Sequence, residues 1–133
     1  MRSVKDFSPF VAVVDDNAPL REAIESLLES AGYRARGYES AEAFLCSTAA
    51  RRAACLILDA KLPGISGHEL QHALCLADHP VPVIFISAHD EIESGLKARA
   101  LQLGALAFLH KPFGGDDLLR VVDNAMQLCN QRQ

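Results

Sequence analysis

Five side chains that could do chemistry together stand at, or shortly after, the ends of short apolar runs. They are three carboxylates, one hydroxyl and one ammonium: Asp15, Asp16, Asp59, Ser87 and Lys111. Each run has the length of a strand, and longer segments with helical periodicity separate the runs. In a parallel sheet built this way, functional groups collect at the carboxyl ends of the strands. We therefore expect the five side chains to meet at one edge of the sheet.

This set of groups suits phosphoryl transfer better than acid–base chemistry. Clustered carboxylates repel one another, so a cation must offset them, and oxygen ligands favour a hard divalent ion such as Mg²⁺. One carboxylate could then attack a phosphorus centre and form an aspartyl phosphate. The metal, the ammonium of Lys111 and the hydroxyl of Ser87 could each satisfy one phosphoryl oxygen, as such a transfer requires.

The elements that must position these groups form five strand–helix units. The pattern predicts strands over residues 10–14, 33–38, 54–58, 81–86 and 105–109, and helices over residues 19–31, 40–47, 66–77, 92–103 and 116–129. Alternation of this kind predicts an α/β fold, a doubly wound parallel sheet with helices on both faces. The second strand is the most polar, so we place it near an edge. In the second helix, Ala43, Phe44 and Leu45 are expected on the inner side.

Composition limits the classes of protein that fit. The 133 residues carry a net charge of −4 and half of them are hydrophobic, which is one domain with a substantial core. A mildly acidic chain without a basic run is not expected to bind nucleic acid directly. The N-terminus lacks a signal peptide and no apolar stretch could cross a membrane. The four cysteines, Cys46, Cys55, Cys75 and Cys129, are interpreted as buried reduced thiols of a cytoplasmic protein.

The motifs resemble the receiver domain of bacterial two-component response regulators. The resemblance rests on the acidic pair after the first strand, the acceptor segment 56–67 with its Pro-Gly step and later glycine, the Ser-Ala step in 84–88, and the closing block 104–113 with Lys-Pro-Phe. The sequence of these motifs most resembles that of receivers that precede a helix-turn-helix domain, such as those of nitrogen-fixation-type regulators. It implies a flavodoxin-like sheet of order 2-1-3-4-5, with residues 10–129 as the receiver, 1–9 as a tail, and 130–133 as a tail or the start of a linker.

The resemblance also implies the chemistry of the site. Asp59 would accept a phosphoryl group from a sensor histidine kinase or a small phosphodonor. Asp16 and Asp59 would bind Mg²⁺ directly, the backbone carbonyl of Lys61 would be a third ligand, and Asp15 would act through a metal-bound water. Such a domain is a switch that assists its own phosphorylation and dephosphorylation, not a turnover enzyme.

The same resemblance implies how the switch is read out. Ser87 would follow the phosphoryl group inward, Phe108 would be the aromatic whose rotamer changes, and Lys111 would hold a phosphoryl oxygen. The Lys111–Pro112 peptide bond would be cis. The last two helices and the fifth strand would form a homodimer or contact an output domain that controls transcription. A single-domain receiver acting through protein–protein contacts is the alternative.

Other interpretations of single features remain open at the level of sequence. The acidic pair could simply favour a helix N-terminus, and Phe108 could be plain core. An aspartyl-nucleophile phosphatase usually needs an acid two residues after the nucleophile, where this chain has Lys61. A flavin or nucleotide module is disfavoured by the acidic, glycine-free loop after the first strand. His68 and His72 lie four residues apart on a predicted helix, a spacing that can hold zinc, although solvated histidines fit better.

Two residues near the predicted site depart from the family's usual pattern. Lys61 stands where shorter or differently polar side chains are frequent, and Ser87 replaces the commoner threonine. We expect Lys61 to alter the lifetime of the phosphoryl group, and His89 could also bias hydrolysis.

Overall fold

The computed structural model describes residues 10–47, 52–62, 64–76, 81–87 and 96–131. Strands and helices alternate along the chain: β1 Phe10–Val14, α1 Ala18–Ser30, β2 Ala35–Tyr38, α2 Ala41–Cys46, β3 Ala53–Asp59, α3 Gly67–Leu76, β4 Val83–Ser87, α4 Leu96–Gln102, β5 Ala107–His110 and α5 Gly115–Gln131. The five strands form one parallel sheet of order β2-β1-β3-β4-β5. The predicted doubly wound α/β fold and its strand order are confirmed, with the polar strand β2 at an edge.

The three central strands β1, β3 and β4 are buried on both faces because helices cover each side of the sheet. Alternate side chains of a strand point to opposite faces, and the buried residues accordingly divide into two cores. One core lies against α2, α3 and α4 and includes Phe44, Leu70 and Ala100. The other lies against α1 and α5 and includes Leu28 and Leu118. This double burial explains why the central strands are continuous apolar runs.

Two strands begin two residues later than the sequence pattern predicts, because helix ends use the backbone groups first. The amide of Tyr33 donates to the carbonyl of Leu28, 3.0 Å away, and so closes α1 before β2 begins. The amide of Ala105 donates in the same way to the carbonyl of Ala100, 3.0 Å away, at the end of α4. By sequence periodicity Tyr33 and Ala105 count as strand residues, whereas their hydrogen bonds belong to helix termini.

The fourth strand is also shorter at its beginning than predicted, and the predicted fourth helix is only partly described. Pro82 lacks an amide hydrogen, and β4 begins at the next residue, Val83. The carbonyl of Pro82 still accepts from the amide of Leu56 on β3, 2.9 Å away. Residues 92–95 of the predicted helix, residue 77 at the predicted end of α3, and His89 lie outside the described residues.

Side chains at the helix starts explain where three helices begin. The carboxamide of Asn17 accepts from the amide of Leu20 at 3.1 Å, and Ser40 Oγ accepts from the amide of Ala43 at 3.0 Å. Ser66 and Glu69 form a reciprocal capping box at α3, with distances of 2.8 and 3.1 Å. Such caps satisfy amides that have no partner within the helix.

Two expectations for α2 are wrong. Leu45 is 43% exposed, although it was expected on the inner side. Ala41 and Phe44 cover that inner face, and Leu45 follows Phe44 by about 100° around the helix axis. Cys46 ends the helix and is exposed, whereas Cys55 on β3 is buried. The expectation of buried thiols therefore holds for Cys55 and is wrong for Cys46.

Among the described residues, no helix combines the length and apolar character that crossing a bilayer would need.

Candidate functional site

Three carboxylates meet where β1 and β3 end. Asp15 and Asp16 follow β1 directly, and Asp59 is the last residue of the neighbouring strand β3. One carboxylate oxygen from each of the three residues lies within 4.8 Å of the others. Asp15 and Asp59 are buried and Asp16 is exposed. The cluster therefore combines two acids that are shielded from water with one that faces solvent.

Lys111 brings a positive charge to these acids from the end of β5. Its ammonium nitrogen lies 3.3 Å from Asp59 Oδ2 and 3.6 Å from Asp15 Oδ2. The Lys111–Pro112 peptide bond is cis, as the resemblance implied. The long side chain of Lys111 lets its ammonium reach past β4 to Asp59 on β3, while its backbone stays at the end of β5. The structure thus brings Asp15, Asp16, Asp59 and Lys111 together.

Ser87 lies at the same edge, as the last residue of β4 between the strands that carry Asp59 and Lys111. Its side chain is buried, and its carbonyl accepts from the amide of Lys111 at 2.7 Å. Asp59 is paired in register with Ile86, the residue before Ser87. The serine is therefore in the neighbouring strand position, and its backbone fixes where Lys111 leaves the sheet.

Backbone amides orient the two buried carboxylates. Lys61 donates its amide to Asp59 Oδ1 at 3.0 Å, and Asn17 donates its amide to Asp15 Oδ1 at 2.8 Å. Each carboxylate thus has one oxygen held by the chain that follows its strand. The second oxygens, both Oδ2, face the ammonium of Lys111. The side chain of Lys61 itself is exposed.

Burial raises the pKa of Asp59 to about 6, and the neighbouring charge of Asp15 contributes in the same direction. The amide of Lys61 and the ammonium of Lys111 act in the opposite sense and lower this pKa. At pH 7 Asp59 is therefore mostly ionised, but its charge is poorly solvated. A carboxylate in this state is available as a nucleophile and is stabilised by any added cation.

The donor set also fits a hard divalent cation. Among the described residues, Asp15 Oδ2 is a buried oxygen without a hydrogen-bond partner, although Lys111 lies nearby. Buried polar atoms of this kind need an explanation, and a bound ion or its water shell is one. Three carboxylates in one cluster match the oxygen ligands that Mg²⁺ prefers. Zinc at His68 and His72 gains no support, because the described clusters of possible ligands contain neither residue.

Phe108 is buried in the core between the sheet and α3 and α4. Its ring stacks on that of Phe85 in the neighbouring strand, with centroids 5.7 Å apart. The ring is therefore turned inward in this structure.

The acidic pair is not needed as a helix cap, because the side chain of Asn17 caps α1.

Two residues that the sequence interpretation left without a role, Arg21 and Glu42, also hold the site. Arg21 donates from Nη1 to the carbonyl of Asp15 at 2.7 Å. Glu42 Oε2 accepts from the amide of Ile65 at 3.2 Å in the loop after Asp59. Arg21 carried a signal, since a cation near a helix N-terminus opposes the helix dipole. Glu42 carried none, because its contact is made 23 residues away in sequence.

Gly67, part of the motif that suggested a tight turn, is required by a close approach instead. A Cβ atom at this position would lie 2.4 Å from the carbonyl oxygen of Asp59 and 3.1 Å from Phe85 Cε1. Gly64, by contrast, has a φ of 73° and does make a turn that glycine favours. Helix α3 therefore begins directly against the backbone of Asp59.

Comparison with known proteins gives one consistent result. A family model described as the response regulator receiver domain matches residues 11–123. The response regulator protein TmoT of Ectopseudomonas mendocina is 36% identical over 130 residues, which are 98% of this chain and 58% of that protein. The transcriptional regulatory protein FixJ of Bradyrhizobium diazoefficiens is 32% identical over 117 residues, which are 88% and 56% of the two chains.

A solved structure agrees with these sequence matches. The response regulator StyR superposes with a TM-score of 0.84 at 38% identity, covering 94% of this chain and 62% of that one. The chain spans a little over half the length of the two curated relatives named above. From its sheet order, its acidic edge and these matches, the chain belongs to the response regulator receiver domain family.

Proposed function

We propose that this chain is a phosphorylation-dependent signalling switch in which Asp59 accepts a phosphoryl group from a sensor histidine kinase. The observation that carries the proposal is the position of the Asp59 carboxylate, buried at the sheet edge, 3.3 Å from the ammonium of Lys111 and beside two further acids. Proteins of this family are signalling domains that work with histidine kinases. The receiver unit is proposed to cover residues 10–129, and a cytoplasmic location stays a prediction from the sequence.

Four residues are proposed to hold Mg²⁺. Asp16 and Asp59 would bind it directly together with the backbone carbonyl of Lys61, and Asp15 would bind through a water molecule. The clustered oxygens of the three acids support this assignment. When bound, the metal neutralises charge on the phosphoryl oxygens and on the acids.

The phosphorylation step needs few further groups. One oxygen of the Asp59 carboxylate forms a bond to phosphorus while the phosphorus–nitrogen bond of the kinase phosphohistidine breaks. The electron pair of that bond stays with the imidazole, which takes up a proton from solvent. Lys111 supports the developing charge on one phosphoryl oxygen, and Ser87 is proposed to donate its hydroxyl to another. Hydrolysis of the aspartyl phosphate resets the switch.

The output is proposed to pass through α4, β5 and α5. Phosphorylation adds negative charge at the edge and favours one arrangement of Ser87 and Phe108 over another. Leu101 on α4 and Leu128 on α5 are exposed large hydrophobic residues on two of these elements. We propose that this face forms a homodimer or contacts an output domain. FixJ is named as a transcriptional regulator, which supports control of transcription through an output domain outside the present 133 residues.

Incubation with Mg²⁺ and acetyl phosphate, followed by intact-protein mass spectrometry at mildly acidic pH, tests the proposal. The wild-type chain should gain the mass of one phosphoryl group, and Asp59→Asn should gain none. Asp117→Asn is the matched control, since this exposed acid on α5 pairs only with Arg120 among its described ion pairs. An adduct on Asp59→Asn as large as on wild type, or no adduct on wild type with any phosphodonor or kinase, would contradict the proposal.

A further inference from the structure

Four aromatic rings form a continuous row beside the acidic edge. The rings of His68 and Phe85 stack with centroids 4.9 Å apart, those of Phe85 and Phe108 follow at 5.7 Å, and those of Phe108 and His110 at 5.5 Å. These separations are in the range at which aromatic pairs attract each other. We call these four residues the aromatic row. It runs from α3 across β4 to the end of β5.

Sheet register explains why the row is continuous. Phe85 and Phe108 are direct partners in the β4–β5 pairing, so their side chains project from the same face of the sheet. His110 lies two residues after Phe108 and shares that face. Phe85 is completely buried and Phe108 nearly so. Since protein interiors are close-packed, a shift of one ring here has to be taken up by the next.

Both ends of the row lead back to Asp59. At the His68 end, the backbone of the preceding residue, Gly67, lies between the carbonyl of Asp59 and the ring of Phe85, at distances that leave no room for a Cβ atom. At the other end, His110 directly precedes Lys111, whose ammonium contacts the Asp59 carboxylate. Asp59 and Lys111 are thus joined twice, by an ion pair and by a packed path through Phe85 and Phe108.

We propose that Phe85 is a positioning residue of the phosphorylation switch, whose ring transmits displacements of the segment after Asp59 to Phe108 and the end of β5. The inference rests on the function proposed above and adds a residue to it. A phosphoryl group on Asp59 competes for Lys111 and changes the forces on the Asp59–Gly67 segment. Because Gly67 touches Phe85, that change reaches Phe108 by direct contact. Without the ring, the same chemistry at Asp59 leaves Phe108 less affected.

Phe44 provides a matched comparison within the same core. It is also completely buried and makes an aromatic contact, with Tyr38 at 5.3 Å. It lies on α2, and its aromatic partner is on β2, at the far edge of the sheet from β5. Phe44→Leu and Phe85→Leu therefore remove the same atoms from one core, but only the second interrupts the aromatic row.

Fluorine NMR of chain labelled with 4-fluorophenylalanine tests the inference. The six phenylalanines give six signals, and Phe108→Leu identifies that of residue 108. Spectra are recorded with Mg²⁺ before and after acetyl phosphate, while mass spectrometry measures the adduct in the same samples. The signal of Phe108 should move on phosphorylation in wild type and in Phe44→Leu. Phosphorylation shifts the equilibrium of the Phe108 ring between two arrangements. In Phe85→Leu this equilibrium constant should change about 2- to 12-fold less than in wild type, which is the factor that corresponds to the loss of one aromatic pair.

The outcomes separate this inference from the proposed function. A missing adduct on wild type refutes the function itself. A normal adduct on Phe85→Leu with the full wild-type movement of the Phe108 signal overturns only the role of Phe85, as does a wild-type signal that stays in place on phosphorylation. If Phe85→Leu does not fold, Phe85→Met, which keeps a long apolar side chain but no ring, takes its place, and the same reduced response is expected. An unchanged response there would overturn the inference equally.

Discussion

Replacing Asp59 by asparagine should stabilise the folded chain at neutral pH in the absence of Mg²⁺, and this stabilisation should disappear in acid. Burial raises the pKa of Asp59 from its ordinary value of 3.8 to about 6. The folded state therefore holds this proton more tightly than the unfolded state does. Below pH 3.8 both states are protonated and the carboxyl has no unfavourable effect. As the pH rises from 3.8 through 6, the cost of the buried charge grows to its full value.

The size of the effect follows from the shift. Each unit of pKa difference corresponds to about 1.36 kcal/mol, so a rise from 3.8 to about 6 destabilises the ionised folded protein by about 3 kcal/mol. Roughly two thirds of this, about 2 kcal/mol, should develop between pH 4.5 and pH 7.5. Asparagine has nearly the same shape but no charge, and it does not titrate.

Urea unfolding followed by circular dichroism, in EDTA at both pH values, measures the effect. At each pH, the free energy of unfolding of wild type is subtracted from that of Asp59→Asn. The double difference is the value of this subtraction at pH 7.5 minus its value at pH 4.5. The subtraction removes all other titrating groups that the two proteins share. Asp117→Asn, an exposed acid on α5, should show a double difference near zero. A double difference near zero for Asp59→Asn as well would refute the account of the buried charge.

Further predictions concern the surroundings of this carboxylate. Saturating Mg²⁺, at about 100 times its Kd, should stabilise wild type by about 2.7 kcal/mol in urea unfolding and Asp59→Asn by clearly less; equal stabilisation would remove Asp59 from the metal site. Lys111→Met should slow phosphorylation by acetyl phosphate roughly 100-fold in a mass-spectrometric time course, as expected when a charge stabiliser is lost. Gly67→Ala should lower stability by about 1–3 kcal/mol, because its Cβ would lie 2.4 Å from the Asp59 carbonyl. Lys61→Ala should change the lifetime of the aspartyl phosphate, and equal lifetimes would exclude a role for that side chain.

Much of the fold was predictable because hydrophobic periodicity and chain connection are local properties. Apolar runs of strand length, separated by helical segments, lead to a parallel sheet whatever the details of packing. The errors lie where a residue's role depends on a distant partner or on the exact helix phase. Tyr33 and Ala105 belong to segments with strand-like patterns but give their amides to helix ends. Leu45 looks like core until the short helix α2 is oriented by Phe44.

The acidic edge was predictable for a related reason, since the carboxyl ends of parallel strands must adjoin. The strengths of the interactions at this edge were not predictable from the sequence. The raised pKa of Asp59 depends on its burial and on distances to Asp15 and Lys111, and none of these follows from sequence spacing. Contacts such as Glu42 with the loop after Asp59, or Phe85 with Phe108, require the packing of α2 and the register of β4 with β5.

Chemical trapping of the phosphorylated residue identifies the acceptor side chain. Chain phosphorylated with Mg²⁺ and acetyl phosphate is treated with borohydride, which reduces an aspartyl phosphate to homoserine, and the peptides are sequenced by mass spectrometry. Homoserine is expected at position 59 in place of aspartate, with Asp15 and Asp16 unchanged. Homoserine at position 15 or 16, or a stable phosphate on serine, would show that the buried carboxylate beside Lys111 is not the acceptor.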